Sequence, residues 1–187
     1  MARRMAADTK VWTLEELDSL PDDGNKYELI HGELFVTPAP SNEHEEIAAR
    51  LARILDRYVE ANGLGYVYRP RAVIQHQGSQ VEPDMMVRRP LPHSGKGWAD
   101  APPPILVVEI VSPTTRRRDR EHKRDFYIDD VAVPEYWIVD PDRREVVVVK
   151  PGVANEIARQ QIVWSPAGTS SPLIVDVERV FAEDTTS

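Results

Sequence analysis

The chain has 187 residues, with 31 Asp plus Glu against 23 Lys plus Arg and a formal net charge of −8. This length fits one domain, because domains commonly have roughly 100–200 residues. The absence of cysteine excludes disulfides, thiolate catalysis and Cys-ligated metal sites. No apolar run approaches the roughly 20 residues that cross a bilayer, and no signal-peptide core is present, so we expect a cytoplasmic protein without membrane contact. The acidic balance argues, at first sight, against a nucleic-acid partner.

The first third of the chain predicts a helix, a hairpin and a longer helix. Thr13, followed by two glutamates, predicts the N-cap of a short helix that continues to about Leu20. Alternating apolar residues from 26 to 36, around His31 and Gly32, predict a β-hairpin. Apolar side chains at helical spacing predict an amphipathic helix over residues 43–62. We expect residues 1–12 to be a flexible leader.

The middle of the chain predicts strands and one long loop. Strand-like runs occur at residues 66–69, 72–76 and 81–87. Pro83 interrupts the third run, which fits a sheet edge, a bulge or a strand start. Five prolines and two glycines make residues 88–104 an irregular loop. Residues 105–111 are continuously apolar except for one glutamate, which is typical of a strand buried on both faces.

The last third of the chain adds one helix and several strands. A helix is predicted from Thr114 to about Asp130. Strands or short elements are predicted at residues 135–139, 144–150, 161–164 and 173–181. With a flexible tail over 182–187, the whole pattern predicts one mixed α/β domain over residues 13–181, with helices packed on a central sheet.

Two acidic residues lie where the pattern predicts burial. Glu109 is inside the most apolar strand, and glutamate is rarely buried unless it is paired or bound to a metal. A buried ion pair, or a strand end that reaches solvent, would also account for it. Asp84 follows Pro83 between apolar residues, and an aspartate there is also common in turns.

Together, Asp84 and Glu109 suggest a metal site made of oxygen ligands. Two carboxylates and a backbone carbonyl are a ligand set that Mg²⁺ prefers. A bound ion of this kind holds a phosphate oxygen and activates water. Lys123 could supply a nearby ammonium, because Asp119, Lys123 and Tyr127 share one helix face. A surface ion pair between Lys123 and Asp119 is the simpler interpretation of the same spacing.

The start of this helix carries a cluster of basic residues. The window from Arg116 to Arg124 has six basic and two acidic residues, a local charge of +4. Arginine forks and threonine hydroxyls match phosphate oxygens. The candidate phosphate-binding residues are Thr115, Arg116, Arg117, Arg118 and Arg120. A charge run on a helix is also often only its solvated face.

Seven segments, taken in order, resemble the Uma-type family of restriction endonucleases, within the PD-(D/E)XK nuclease superfamily. They are Tyr27-Glu28-Leu29-Ile30, Gly32-Glu33-Leu34, His44, Pro83-Asp84, Val108-Glu109-Ile110-Val111-Ser112-Pro113, Asp119-x-x-x-Lys123-x-x-x-Tyr127 and Val133-Pro134-Glu135-Tyr136-Trp137-Ile138-Val139-Asp140-Pro141. The resemblance covers nearly the whole chain. It implies a restriction-endonuclease-like α/β fold, with a central mixed β-sheet flanked by helices and an N-terminal β-hairpin extension.

The resemblance also implies Mg²⁺-dependent hydrolysis of DNA phosphodiesters, with Mn²⁺ as a possible substitute. Asp84 and Glu109 would be catalytic metal ligands, and the main-chain carbonyl of Ile110 would be the third ligand. Val111 stands where the superfamily has its lysine, so the catalytic lysine of this chain would be Lys123 on the following helix.

The same resemblance brings in two accessory residues, each with an alternative. Glu28 matches an acid near the family's N-terminus and could reach the metal site, but it could equally be an exposed hairpin acid. His44 could contact phosphate or help to cap the helix that it opens.

Three functions remain open from the sequence. The first is the metal-dependent endonuclease, for which a homodimer is a reasonable analogy because both DNA strands must be cut. The second is a catalytically inactive nucleic-acid-binding or assembly module, suggested by Val111 at the lysine position. The third is a hydrolase of small phosphate esters. If metal neutralises the site acids, a net charge of −8 predicts weak, salt-sensitive DNA binding and does not exclude DNA.

Overall fold

A computed structural model describes residues 10–90, 97–112 and 121–182. In chain order its first elements are α1 (Leu14–Asp18), β1 (Lys26–Ile30), β2 (Glu33–Thr37), α2 (Asn42–Ala61), β3 (Tyr66–Tyr68), β4 (Ile74–His76), β5 (Ser79–Val81), β6 (Met85–Arg88) and a short 3₁₀ helix (Trp98–Asp100). The later elements are β7 (Leu106–Ile110), α3 (His122–Asp125) with a π-helical turn (Phe126–Asp130), β8 (Tyr136–Asp140), β9 (Glu145–Val149), β10 (Glu156–Ala158), β11 (Gln161–Trp164), β12 (Leu173–Asp176) and α4 (Val177–Val180). Most of the predicted leader and tail lies outside these described residues.

A six-stranded mixed sheet forms the centre of the fold. Its strand order is β10-β9-β8-β7-β6-β3. Neighbouring strands are antiparallel except β7 and β8, which are parallel. The continuous apolar run predicted as a strand buried on both faces is β7, and all of its residues are buried. The prediction of a central mixed sheet is confirmed.

The two faces of this sheet are covered by different elements. One face packs against α2 and against the β11–β12 hairpin with α4, through residues such as Leu51, Leu55 and Trp164. The other face packs against the π-helical turn and a smaller sheet, through residues such as Tyr127 and Ile30. Helix α2 extends from Asn42 to Ala61, close to the predicted bounds, and Ser41 is its N-cap.

The smaller sheet has four strands in the order β2-β1-β5-β4. The predicted hairpin is its β1–β2 pair, and the turn residues His31 and Gly32 have φ angles of 51° and 81°. Two positive φ angles are what a tight two-residue hairpin turn requires. The β4–β5 hairpin has the same turn geometry at Gln77 and Gly78, and the sequence analysis did not predict it.

The predicted single strand over residues 81–87 is wrong. The structure divides it into β5, which belongs to the smaller sheet, and β6, which belongs to the larger one. Residues 82–84 connect the two sheets, and Pro83 cannot donate a hydrogen bond to either ladder. Pro83 marked an interruption in the sequence, but a proline there fits an edge, a bulge or a strand start equally well, so it gave no sign of the change of sheet.

The predicted helix from Thr114 to Asp130 can be compared only from residue 121 onward, because residues 113–120 lie outside the described chain. There α3 is followed by the π-helical turn, and the helix ends as predicted at Asp130. Strand β10 was not predicted, and the 3₁₀ helix interrupts the loop that was predicted to be irregular. Within the described residues, no helix is both long and apolar enough to cross a membrane.

Candidate active site

A cleft of about 640 Å³ opens where the two sheets meet, beside the carboxyl end of β7. The side chains that carry its chemistry come from β1, from the start of α2, from the connection before β6, and from β7. Lys26, His44, Asp84, Glu109 and Ile110 all line it. Four of the charged or titratable side chains that line the cleft, those of Lys26, His44, Asp84 and Glu109, therefore come from four separate segments of the chain.

Asp84 is held by three partners. Its Oδ2 accepts the Ile110 N–H at 2.8 Å and lies 3.1 Å from His44 Nε2. Its Oδ1 lies 3.3 Å from Lys26 Nζ, and that ammonium also donates to the carbonyl of Glu82 at 3.1 Å. The Asp84 side chain is 9% exposed, so this carboxylate is largely shielded from solvent.

The partners of Asp84 keep the group ionised despite its burial. Burial alone would raise the pKa of Asp84, but Lys26 and His44 outweigh burial and hold this pKa well below its usual range. Burial lowers the pKa of Lys26, but the attraction of Asp84, Glu28 and Glu109 raises it above its ordinary value. The pKa of His44 is also raised, because the hydrogen bond and charge of Asp84 outweigh burial.

Glu109 belongs to a second, more deeply buried cluster. Its Oε1 lies 2.7 Å from Lys123 Nζ and accepts the Tyr127 hydroxyl at 2.6 Å. Lys123 Nζ also lies 2.9 Å from Glu28 Oε1, and the Lys123 side chain has no exposed surface. Glu28 Oε1 further accepts the N–H of Glu82 at 3.1 Å. One ammonium therefore lies between two buried carboxylates.

Tyr127 is a hydrogen-bond donor in this cluster. Burial raises the pKa of its hydroxyl well above the ordinary value, and the charges of Glu109 and Glu28 raise it further. The phenol therefore stays protonated and donates to Glu109. Lys123 and Tyr127 are four residues apart and reach the same carboxylate, as the predicted shared helix face requires.

The structure brings most of the predicted site residues together. Asp84, Glu109, Lys123, Glu28, His44 and Ile110 all belong to the two linked clusters. The exposed-hairpin interpretation of Glu28 is wrong, because its side chain has no exposed surface. The surface-pair interpretation of Lys123 is wrong for the same reason.

His44 does not cap α2 with its side chain. Ser41 Oγ is the cap and accepts the His44 N–H at 3.2 Å, which leaves the imidazole directed at Asp84. The predicted phosphate-binding residues Thr115, Arg116, Arg117, Arg118 and Arg120 lie outside the described residues, so their role stays a prediction.

Lys26 is the site residue that the sequence analysis missed. Its position at the start of the predicted hairpin gave no indication of function, since lysine is common at exposed strand ends. A weak signal was present in the alternation of β1, where Lys26, Glu28 and Ile30 occupy the same strand face. Two of these three are charged on a face that packs against the larger sheet.

The donor set fits a hard divalent cation. In the described part of the chain, no three His, Cys, Asp or Glu side chains are already grouped as metal ligands. Mg²⁺ commonly uses only one or two carboxylates and keeps several waters. Asp84 and Glu109 supply two carboxylates at one cleft, and Ile110 lies beside them.

Comparisons with known proteins agree with this fold. The Uma2 family model, described as "Putative restriction endonuclease", matches residues 14–182. A crystal structure of a putative nuclease belonging to DUF820, from Anabaena variabilis, superposes with a TM-score of 0.74. It is 19% identical in sequence, and the match covers 90% of this chain and 97% of that one. No curated protein matches the chain.

Proposed function

The chain belongs to the Uma2 family, and we propose, from that membership and from the cleft, that it is a metal-dependent endonuclease that hydrolyses DNA phosphodiesters. The family and the nuclease-like fold support a nuclease in general terms. The metal, the residue roles and the choice of DNA as substrate are parts of the proposal.

One observation carries the proposal: Asp84, directly before β6, and Glu109, on the neighbouring strand β7, line the same cleft. Strands β6 and β7 are antiparallel with Met85 opposite Val108, which brings the residues next in line, Asp84 and Glu109, to the same level of the sheet. A structural ion pair needs no opening to solvent. A hydrolytic site does need one, because substrate and water must both enter.

In the proposed mechanism each residue has a separate role. Asp84, Glu109 and the carbonyl of Ile110 would hold Mg²⁺, or Mn²⁺ in its place. The ion would supply Lewis-acid stabilisation of the phosphate and a water of lowered pKa. Lys123 and Tyr127 hold the Glu109 carboxylate in place through its Oε1, and Glu28 and His44 are accessory residues that hold Lys123 and Asp84. Thr115 and the arginines at positions 116–118 and 120 would bind flanking phosphates.

The test is cleavage of supercoiled plasmid with Mg²⁺, with Mn²⁺ and with EDTA. We expect nicked or linear DNA only with metal, and at least a hundredfold loss for Asp84→Asn and Glu109→Gln, which remove charge and keep shape. Glu43→Gln is the matched control, because Glu43 lines the same cleft outside the two clusters. Circular dichroism would verify folding. Undiminished cleavage by both site variants would refute the mechanism.

A nucleic-acid-binding module without catalysis is the second candidate. The observation in its favour is that both cleft acids already have cationic partners within the protein, so the site does not depend on metal for charge balance. Such a module would bind DNA without cutting it.

For the endonuclease, we also infer a homodimer, because duplex cleavage requires two active sites or two successive events.

A further inference from the structure

Two lysines hold the site acids Asp84 and Glu109, and they differ in their access to solvent. Lys123 has no exposed side-chain surface and lies between Glu28 and Glu109. The Lys26 side chain is 19% exposed and lines the cleft, with its Nζ 3.3 Å from Asp84 Oδ1. A solute that enters the cleft therefore meets the ammonium of Lys26 and not that of Lys123.

The two oxygens of Asp84 also differ. Oδ2 accepts the backbone N–H of Ile110, and this strand cannot move without breaking the sheet. Oδ2 also faces His44. In the described part of the chain, Lys26 is the partner of Oδ1. Lysine is a flexible side chain with one compact charge, so its contact is the one that another cation can replace most easily.

We propose that Lys26 is a positioning residue that neutralises Asp84 until a divalent cation binds, and that it then gives up Oδ1 to that cation. This inference rests on the proposed metal-dependent function. Lys26 also donates to the carbonyl of Glu82 at 3.1 Å, and this contact retains the displaced ammonium inside the cleft. The exchange keeps Asp84 paired with a positive charge at every stage, which a buried carboxylate requires.

The test is calorimetric titration of the metal-free protein with Mn²⁺ in the absence of DNA. Lys26→Met removes the competing charge, so we expect Mn²⁺ to bind at least about tenfold more tightly than to the parent. Arg71→Met is the matched control, because Arg71 lines the same cleft but pairs with Asp22 at 3.1 Å. For this control we expect a change of less than about threefold. Equal affinity of the parent and Lys26→Met, or an equal gain in the control, would overturn the inference.

A second measurement uses the unaltered chain, in case Lys26→Met does not fold. Mass spectrometry would follow acetylation of Lys26 with and without Mn²⁺. Displacement from Asp84 should make this ammonium react at least severalfold faster when the metal is present, because the ion pair with the carboxylate no longer shields it. An unchanged or slower reaction with Mn²⁺ bound would contradict the exchange.

The outcomes separate this inference from the endonuclease proposal. Tighter Mn²⁺ binding by Lys26→Met in a protein that leaves plasmid intact would support the exchange and refute the nuclease. Metal-dependent cleavage by the parent, with the same Mn²⁺ affinity for the parent and Lys26→Met, would support the nuclease and refute the exchange. An absence of Mn²⁺ binding by both the parent and Lys26→Met would overturn both.

Discussion

The ammonium group of Lys123 has no exposed surface, and two carboxylates stabilise its positive charge. Its ammonium lies 2.9 Å from Glu28 and 2.7 Å from Glu109, and the Tyr127 hydroxyl shares the second carboxylate. Replacing a whole buried ion network with apolar groups is often harmless, but removing one member leaves the others unpaired in a low dielectric. At the residue scale, Lys123 therefore supports the fold as well as the proposed chemistry.

We expect Lys123→Met to lower the free energy of unfolding by about 3–5 kcal/mol, because two buried carboxylates lose their shared cation. Urea denaturation followed by circular dichroism would measure this. Lys150→Met is the control, since Lys150 is 41% exposed and pairs with one carboxylate, that of Glu135. Its loss should cost about 1 kcal/mol or less. A similar small effect at Lys123 would show that the buried network contributes little.

At the element scale, the approach of β3 to β6 depends on one glycine. Gly65 precedes β3 and has a φ of +116°, and a Cβ built there would lie 2.2 Å from the carbonyl oxygen of Arg88. The neighbouring Gly63 ends α2 with a φ of +59° and open space around it. Both glycines have a positive φ, but only at Gly65 would a side chain also collide with a neighbouring strand. Comparing the two positions therefore distinguishes the cost of the steric clash from the cost of backbone strain.

Gly65→Ala should lower the free energy of unfolding by at least about 2 kcal/mol, because the β6 backbone must move away. Gly63→Ala should cost only about 1 kcal/mol, the strain of a left-handed conformation without a clash. Thermal or urea unfolding of the two variants side by side would test the difference. Equal losses would mean that the close approach relaxes without cost.

The elements that could be predicted are those with strong local signals. Helix α2 has a full set of apolar residues at helical spacing and a serine cap, and β7 has an unbroken apolar run. The division of residues 81–87 between two sheets could not be predicted, because Pro83 indicates an interrupted strand but not which sheet the residues on each side join. Strand β10 is short and exposed, so it has little apolar pattern to detect.

At the scale of the whole molecule, the net charge of −8 opposes DNA binding, and under the proposed function a bound metal would offset this charge at the cleft. The chain carries a net charge of −8, and the proposed site places Asp84 and Glu109 at the cleft that would receive phosphate. A bound cation reverses the local sign of the potential. The proposed function therefore connects DNA affinity to metal occupancy.

We expect fluorescence anisotropy to show duplex DNA binding that is several times tighter with Ca²⁺, which shares the preference of Mg²⁺ for oxygen ligands, than with EDTA. Affinity should also fall steeply between about 50 and 200 mM salt, because phosphate contacts release counterions. Tight binding in EDTA that is insensitive to salt would contradict this picture. It would also indicate a DNA-binding surface that is separate from the cleft.

The candidate site was only partly predictable from the sequence. Glu109 was detectable because a charge in an apolar strand is unusual, and Lys123 because helical spacing aligned it with Tyr127. Lys26 could not be found in this way, since its partner Asp84 is 58 residues away and only the meeting of two sheets brings them together. Its chemistry is a property of tertiary structure.

The connection of residues 82–84 between the two sheets has a consequence for folding. The contacts of Asp84 span 26 residues to Ile110, 40 to His44 and 58 to Lys26, so each requires the closure of a long loop. Contacts of high sequence separation incur their entropic cost before they stabilise the chain, and they tend to form slowly. We therefore expect the cleft to be completed late, after both sheets have formed, so that a partly folded chain lacks the assembled site.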